Sequence, residues 1–385
     1  MTRTGLFGGT FNPPHIGHIS VADAAVESLG LDSLIVMPTG TPPHKELSDG
    51  APDADARLEM TRLAAAGTPR AVVSDMEIRR EGRSYTADTV RAILADEPDT
   101  ELWLIVGDDM FFSIERWYDA KWLLENVSLA VFARSDCMPD IRAHAERLES
   151  RGARVRIVEK QVIEVSSTEL REALPKRGGR TFLSDAVYSY IIRRRLYNAL
   201  PDIDWLREKA LALLKPSRVA HVLGTERTAA SMALRWGVDE DTARTAALLH
   251  DCTKRLSADE QLKFDSLRAT MSNNPVPEKL FHAITGAELA QREFGISDGI
   301  REAIRWHTSG RPAMTALEKI IYLADMTEPE RDFEGVDRLR ALCFEDLDRA
   351  MLEALEMSVE SIKKRNLPLD ATTVRALEYY RGITK

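Results

Sequence analysis

Between Gly5 and His18 the chain reads Gly-Leu-Phe-Gly-Gly-Thr-Phe-Asn-Pro-Pro-His-Ile-Gly-His, an order of residues that few backbones satisfy. A short apolar strand must run into paired glycines and turn at Pro13-Pro14. A helix then opens at His15 and His18 and continues through Val21, Ala22, Ala25, Val26 and Leu29. Glycine lets a backbone come close to a ligand, and a helix start presents unpaired N–H groups with partial positive charge. The stretch is therefore a phosphate cradle. At a spacing of three, His15 and His18 share one helix face, and Gly17 between them is expected to keep a side chain off bound phosphates. Imidazoles there can donate to, and partly neutralise, a pentavalent phosphorus.

At 385 residues two domains are expected. No apolar run approaches the roughly 18 residues of a membrane span, and the N-terminus shows no leader pattern, so the expected compartment is the cytoplasm. Cys137, Cys252 and Cys343 are odd in number and widely spaced, which argues against a disulfide scaffold or a Cys-x-x-Cys metal site. A net charge of −9 without a large basic block weighs against nucleic-acid and membrane partners and leaves small molecules as the expected substrates. Assembly into a homo-oligomer stays open at this point.

Through residue 199 short β-branched runs alternate with helical patterns. The expected strands are Thr4 to Gly8, Ser33 to Pro38, Ala71 to Ser74, Glu101 to Gly107, Ser128 to Arg134 and Arg154 to Val158. Several are continuously apolar, as in a parallel sheet covered on both faces, which predicts an open α/β fold with its ligand at the strands' carboxyl ends. Motifs fall at those ends. Lys45 follows a proline-stiffened loop after the second strand, placed to reach phosphate oxygens. Thr86 suits a helix N-cap, and Gly107-Asp108-Asp109 ends a strand ahead of the aromatics Trp117, Tyr118 and Trp122. Ser166 with Glu169 reads as a capping box whose helix start, with Ser167 and Arg171, makes a second phosphate site.

The Gly-Gly-Thr-Phe-Asn-Pro-Pro-His-Ile-Gly-His string resembles the HIGH superfamily of nucleotidyltransferases. With Pro-Pro-His-Lys, Ser-Tyr-Thr-Ala-Asp-Thr, Gly-Asp-Asp before Trp117, and Ser-Ser-Thr-Glu-Leu-Arg, residues 1–199 resemble the bacterial nicotinate mononucleotide adenylyltransferases. The resemblance implies a Rossmann-like nucleotidyltransferase fold with a parallel sheet. It implies that Gly8, Gly9, Thr10, Phe11, His15, His18, Lys45, Ser167 and Arg171 hold ATP, with Asp109 near its ribose. Thr86, Trp117, Tyr118 and Arg134 would hold the nicotinate ribotide. The family's strand end usually reads Gly-Ala-Asp, so Asp108 departs from its pattern. The implied chemistry is attack of the mononucleotide's 5′-phosphate on the α-phosphorus of ATP, with Mg²⁺ bridging the phosphates and His15, His18, Lys45 and Arg171 as charge-stabilising donors. The nearest rival is another adenylyl- or cytidylyltransferase, such as the phosphopantetheine enzyme.

From 200 to 385 the pattern changes to amphipathic helices with no convincing strand, which predicts a separate all-α domain. His221, His250-Asp251, His282, His307 and Asp325 fall in separate helical segments, too far apart for a zinc finger but natural for ligands projected into one bundle core. Mixed imidazole and carboxylate ligation suits Fe, Mn, Co or Zn rather than Ca. Cys252 reads as a small core residue. The strings Leu-Leu-His-Asp-Cys-Thr-Lys, His282 with Gly286-Ala287-Glu288, Ile-Arg-Trp-His-Thr-Ser-Gly-Arg-Pro and Glu-Lys-Ile-Ile-Tyr-Leu-Ala-Asp-Met-Thr-Glu-Pro resemble the HD-type symmetrical bis(5′-nucleosyl)-tetraphosphatases, an all-α HD-domain helical bundle. The resemblance implies iron held by His221, His250, Asp251 and Asp325. Arg218, Lys254, His282, His307, Glu328 and Arg331 would line the nucleotide pocket, with Asp251 and Lys254 serving catalysis. It leaves open a second metal on His282 and His307. The implied reaction is hydrolysis of diadenosine tetraphosphate into two ADP; the other reading is a nucleotide-binding regulator of the first half.

Overall fold

Six parallel strands account for the apolar runs of the first half: β1 (Thr2–Gly9), β2 (Ser33–Pro38), β3 (Ala71–Val73), β4 (Thr100–Gly107), β5 (Ser128–Phe132) and β6 (Arg154–Val158). They come from a computed structural model that describes residues 2–41, 50–132, 138–160, 162–272 and 275–384. Lys45, Arg134 and Cys137 lie outside the described residues. The chain divides into two compact units, 1–200 and 201–385.

The sheet order is β3-β2-β1-β4-β5-β6. Side chains alternate across a strand, so a run apolar at every position builds two cores at once. Leu102, Leu104 and Val106 of β4, with Leu129 and Val131 of β5, enter one core with Val90 and Ile93 of the helix Thr86–Asp96. Ile105, Ala130 and Phe132 enter the other, with Ala22, Ala25 and Leu29 of the helix Ile16–Leu29. Strand order reverses between β1 and β4, and there the helices that follow diverge to opposite faces and leave a crevice beyond the carboxyl ends.

In the second unit every regular element among the described residues is helical. Polar caps start the helices: Asp202 accepts from the Trp205 N–H, Asp239 from Thr242 and Ser297 from Ile300, while Thr315 and Glu318 form a reciprocal box. Gly237 and Gly295 end two helices in the left-handed conformation. The helix Val219–Trp236 packs on Glu240–Leu249 and on Ala316–Thr327, and Asp298–Trp306 packs on Phe281–Phe294, Glu240–Leu249 and Ala316–Thr327. Those five helices carry the histidines and aspartates named above. Among the described residues no helix is long and apolar enough to cross a membrane.

Gly5 in β1 shows how closely the first unit is packed: a Cβ there would lie 2.6 Å from Leu31 Cδ1 and 2.9 Å from Leu34 Cδ1. Gly5→Ala is expected to destabilise the first unit by about 1–3 kcal/mol through overpacking. A lower urea midpoint of the full-length protein's first-unit transition checks this, and an unchanged midpoint refutes it.

Two candidate active sites

The helix after β1 begins at Ile16, with His15 at the N-cap position and His18 as its third residue. The backbone N–H of His15 donates to His18 Nδ1 at 3.2 Å. With Nδ1 accepting, the proton of the neutral ring sits on Nε2. The two rings lie close and tilted by 38°, centroids 3.8 Å apart, and buried Phe11 meets His18 edge-on at 5.0 Å from a left-handed backbone (φ 46°). Burial lowers His15 to about 4, and burial together with His15 lowers His18 to about 3. Both rings are therefore neutral donors at pH 7.

The glycines divide their roles. A Cβ on Gly8 would meet nothing within 4 Å, because it would point into an open cavity. On Gly9 it would press on the Phe11 ring at 3.1 Å. Gly17 adds to the expectation: a Cβ there would lie 2.7 Å from the Ile163 carbonyl oxygen and 3.0 Å from His15 Nδ1, so this glycine, besides lining a cavity, admits a neighbouring segment.

Two cavities of about 530 Å³ each open at the strand ends. One is bounded by His15, Gly17, Gly107, Phe132, Ile163 and Ser166. The other is bounded by Gly8, Thr10, Thr86, Asp109, Trp117 and Tyr118. Phe7 and His18 line both. In the second cavity Trp117 Nε1 donates to Ser113 Oγ at 3.2 Å, and the Tyr118 ring stacks on Tyr85 with centroids 4.7 Å apart. Glu77 also faces it, a buried carboxyl raised by burial and accepting from Thr89 Oγ1 at 2.8 Å. Asp109, in the first turn of the helix Asp108–Ser113, accepts from the Met110 N–H at 2.8 Å.

Arg171 and Ser167 support the turn between β1 and the helix. Arg171 Nη1 donates to the Asn12 carbonyl at 2.7 Å, and Ser167 Oγ to the Pro13 carbonyl at 3.2 Å. Tyr197 Oη adds a bond to Asn12 Oδ1 at 2.7 Å. Arg57, which sequence reasoning passed over as one more charge on an amphipathic helix, is 1% exposed. Its guanidinium donates to the carbonyls of Thr10 (3.0 Å), Thr39 (2.7 Å) and Gly40 (3.0 Å), tying the ends of β1 and β2 together. Two further expectations change. Tyr85 holds the N-cap position with Thr86 as the first helical residue, since Tyr85 is the last with extended backbone. Ser166 caps its helix by accepting from the Glu169 N–H at 3.4 Å without a reciprocal bond from Glu169, so half of the capping box forms.

In the second unit six side chains converge. His221 Nε2 lies 3.1 Å from Asp325 Oδ1 and 3.3 Å from His250 Nε2, which is itself 3.6 Å from Asp251 Oδ2. The other oxygen of Asp251 faces His282 Nε2 at 3.3 Å, and His282 Nε2 lies 3.2 Å from His307 Nε2. Three overlapping groups, His221/His250/Asp251, His250/His307/Asp325 and Asp251/His282/His307, each keep their ligand atoms within 4.8 Å of one another. Ring orientation tests whether a metal fits. His250 Nδ1 faces the Ala247 carbonyl at 2.6 Å, His307 Nδ1 the Ile304 carbonyl at 2.6 Å and His221 Nδ1 the Glu328 carboxylate at 3.0 Å. Each partner is an acceptor, so Nδ1–H donates outward and the Nε2 lone pair points into the cluster, as a divalent cation requires. Burial and His250 lower His307 to about 4, and burial, His307 and Lys254 hold His282 well below its ordinary range. Burial pushes the Cys252 thiol up to about 12, and Cys252 Sγ donates to the Gly286 carbonyl, which leaves it a core residue rather than a ligand.

Cations surround the cluster. Arg218 pairs with Asp251, Arg331 Nη2 donates to Asp325 Oδ1 at 2.6 Å, and Lys254 Nζ lies 3.0 Å from His282 Nε2. Beside them opens a cavity of about 580 Å³.

A glycine-rich strand-to-helix turn with paired imidazoles, on a parallel sheet, defines a nucleotidyltransferase-type unit; histidines and aspartates gathered from five helices define an HD-type metal-binding one. Comparison with known proteins agrees: residues 6–173 match the cytidylyltransferase-like family and residues 218–330 the HD domain family. A protein of Synechococcus sp. (strain JA-3-3Ab) named "Probable nicotinate-nucleotide adenylyltransferase" is 40% identical over 199 residues, 51% of this chain and 94% of that protein. A symmetrical bis(5′-nucleosyl)-tetraphosphatase of Bacillus subtilis (strain 168) is 42% identical over 173 residues, 42% of this chain and 91% of that protein. A solved HD superfamily hydrolase of Clostridium acetobutylicum, described as involved in NAD metabolism, is 31% identical with a TM-score of 0.43, covering 48% of this chain and 99% of that one. The chain thus belongs in its first half to the family of the nicotinate-nucleotide adenylyltransferases and in its second to the HD-domain family of the symmetrical bis(5′-nucleosyl)-tetraphosphatases.

The depressed histidines of the first unit carry a pH signature. Above the ordinary value of 6.5 both folded and unfolded chains are neutral at His15; below it the unfolded chain takes up a proton that the folded ring refuses until about pH 4. Stability is therefore lost as pH falls through that window, by about 2–3 kcal/mol for His15 between pH 7 and 4.5. Urea unfolding at the two pH values is expected to show a shallower loss in His15→Asn; an identical loss would mean that His15 is not held neutral.

Proposed function

We propose that the first unit transfers AMP from ATP to nicotinate mononucleotide, giving deamido-NAD and pyrophosphate, and that the second hydrolyses diadenosine tetraphosphate symmetrically to two ADP. The observation that carries the first half is one cavity lined both by Gly8, Gly9 and Thr10 and by Thr86, Trp117 and Tyr118, with His18 lining it and the neighbouring cavity, so that a triphosphate on the glycines and a mononucleotide on the aromatics would meet at that ring. The reading seats ATP, with its Mg²⁺, against Gly8, Gly9, Thr10, Phe11 and the helix start. Nicotinate mononucleotide lies beside Thr86, Trp117 and Tyr118, where the aromatics offer a stacking surface for the pyridine ring. A 5′-phosphate oxygen attacks the α-phosphorus, the bond to the bridging oxygen breaks and pyrophosphate leaves. No protein nucleophile takes part. His18 donates Nε2–H to a non-bridging oxygen on the crowded α-phosphorus, His15 fixes that tautomer through its backbone N–H, and Lys45 and Arg171 add positive charge. Asp109 and Arg134 are assigned to the ribose and to the nicotinate ribotide by family resemblance.

For the second unit the supporting observation is the inward set of Nε2 lone pairs beside two carboxylates. His221, His250, Asp251 and Asp325 would hold a transition metal, iron by family resemblance, which supplies Lewis acidity when bound. Water adds to a central phosphorus and the bridging P–O bond breaks, each ADP keeping two phosphates. Arg218, Lys254 and Arg331 offset the charge that develops, His282 and His307 face the phosphate chain, and Glu328 holds His221 in its tautomer. The native reaction is that of a soluble, cytoplasmic enzyme on free nucleotides.

Chromatography of purified, metal-replete protein incubated with diadenosine tetraphosphate, and separately with ATP plus nicotinate mononucleotide, tests both halves: ADP alone and deamido-NAD are the expected products. His18→Ala is expected to lower kcat for the transfer by about 10²–10³ while mononucleotide binding survives, and normal turnover would sink the assignment. His250→Ala/Asp251→Ala is expected to lose metal by elemental analysis and all hydrolysis, leaving the transferase intact. Full hydrolysis without metal would overturn the metal reading, and nucleotide-dependent control of the transferase without hydrolysis in the wild type would make the second unit a regulator.

A further inference from the structure

The cavity beside the metal-binding cluster contains more positive charge than the cluster uses. Of the five cations that line it, Arg218, Lys254 and Arg331 face the cluster's own carboxylates and imidazole. Lys279 and Arg365 do not; neither side chain has an ion pair or hydrogen bond among the described residues. Lys279 sits in the short turn Glu278–Leu280 just ahead of the helix Phe281–Phe294, one turn before His282. Arg365 caps the helix Leu347–Lys364, whose stripe Met357, Ser358, Ser361 and Ile362 forms a wall of the cavity. The two cations feel each other: burial and the Arg365 guanidinium push Lys279 below its ordinary range against the pull of Asp370. Both side chains are exposed, so solvent screens their repulsion, and an anion at this wall would gain charge-assisted contacts from two cations that the cluster does not use.

A tetraphosphate cut at its centre has two phosphates on each side of the broken bond. The cluster cations account for one pair, and the volume of about 580 Å³ is large enough for a ligand that extends past them. We propose that Lys279 and Arg365 seat the far nucleoside diphosphate half of the substrate, so that phosphate-chain length, and with it the central point of cleavage, is read by this second pair of cations. The apolar side chains of Phe333, Met357 and Ile362 lie in the same cavity and offer the base of that half a surface. The assignment rests on the tetraphosphatase reading and adds residues to it that the sequence motifs do not mark.

The test uses full-length, metal-replete protein. Steady-state hydrolysis of diadenosine tetraphosphate and triphosphate is measured for the wild type, Lys279→Ala/Arg365→Ala and the charge-keeping Lys279→Arg/Arg365→Lys, with metal content and melting temperature recorded for each. The alanine pair is expected to raise KM for the tetraphosphate about tenfold or more, with kcat within about twofold, metal content unchanged and a smaller effect on the triphosphate. The charge-keeping pair is expected to restore KM. An unchanged KM in the alanine pair, a fall in kcat alone, or equal losses on both substrates overturns this assignment while the hydrolase reading stands. A wild type that holds its metal but releases no ADP overturns the hydrolase reading, and this assignment falls with it.

Discussion

What the imidazoles of His18, His221, His250 and His307 do is decided by the single group that each Nδ1 faces. In the first unit a backbone N–H donates into His18 Nδ1, so the proton is on Nε2 and the ring offers a donor to the seam of two cavities. In the second unit His250 and His307 face backbone carbonyls with Nδ1, and His221 faces a carboxylate, so Nε2 offers a lone pair instead. One residue type thus serves phosphoryl transfer in one unit and metal ligation in the other, sorted by polarity of a neighbour at 2.6–3.2 Å. Burial completes the arrangement, because a ring that took up a second proton could neither ligate a metal nor accept the His15 N–H.

Such a device works only if the backbone that supplies the neighbour is fixed. Around His15 the chain bends through two prolines and a left-handed Phe11, a path that secondary structure alone does not hold. Arg57, Arg171 and Tyr197 hold it from three directions, all by bonds to Thr10 or Asn12. A buried guanidinium is costly unless its donors are met, and Arg57 offsets that cost with Nη1 and Nη2 bonds to three carbonyls, while its Nε finds no partner among the described residues. In the second unit the same service comes from helix geometry: His250 and His307 stand at helix ends, where Nδ1 reaches the carbonyl three residues back.

Much of this was legible in the residues. The limits of β2 and β6 coincide with the expected strands Ser33–Pro38 and Arg154–Val158: β2 is apolar after Ser33, as a parallel strand inside the sheet must be, while β6 at the sheet edge alternates exposed Arg154 and Arg156 with the more buried Val155, Ile157 and Val158. The parallel order and the helical second half also follow the sequence patterns. What escaped depends on partners far along the chain. Gly17 is needed for a carbonyl at Ile163, and Arg57 looks like any charge on the helix Ala54–Ala65 until β1 and β2 bring their carbonyls to it. Thr86 was misplaced by one residue since the cap at Tyr85 is made by backbone conformation, with no side-chain bond for a motif to reveal. Tautomers were invisible for the same reason.

Net charge misleads about the second unit. At −9 the chain as a whole repels polyanions, yet the cavity beside the cluster is lined by five cations and, among carboxylates, by Asp325 alone. At physiological salt the Debye length is about 8 Å, so an approaching polyphosphate responds to the cavity rather than to the distant surface. Low-dielectric walls sharpen that local field further. An acidic surface then discourages long nucleic acids, which must contact a wide area, while a short phosphate chain can enter a pocket whose sign is reversed. The same distribution that excludes one class of polyanion by size admits another, and no term in the overall composition records it.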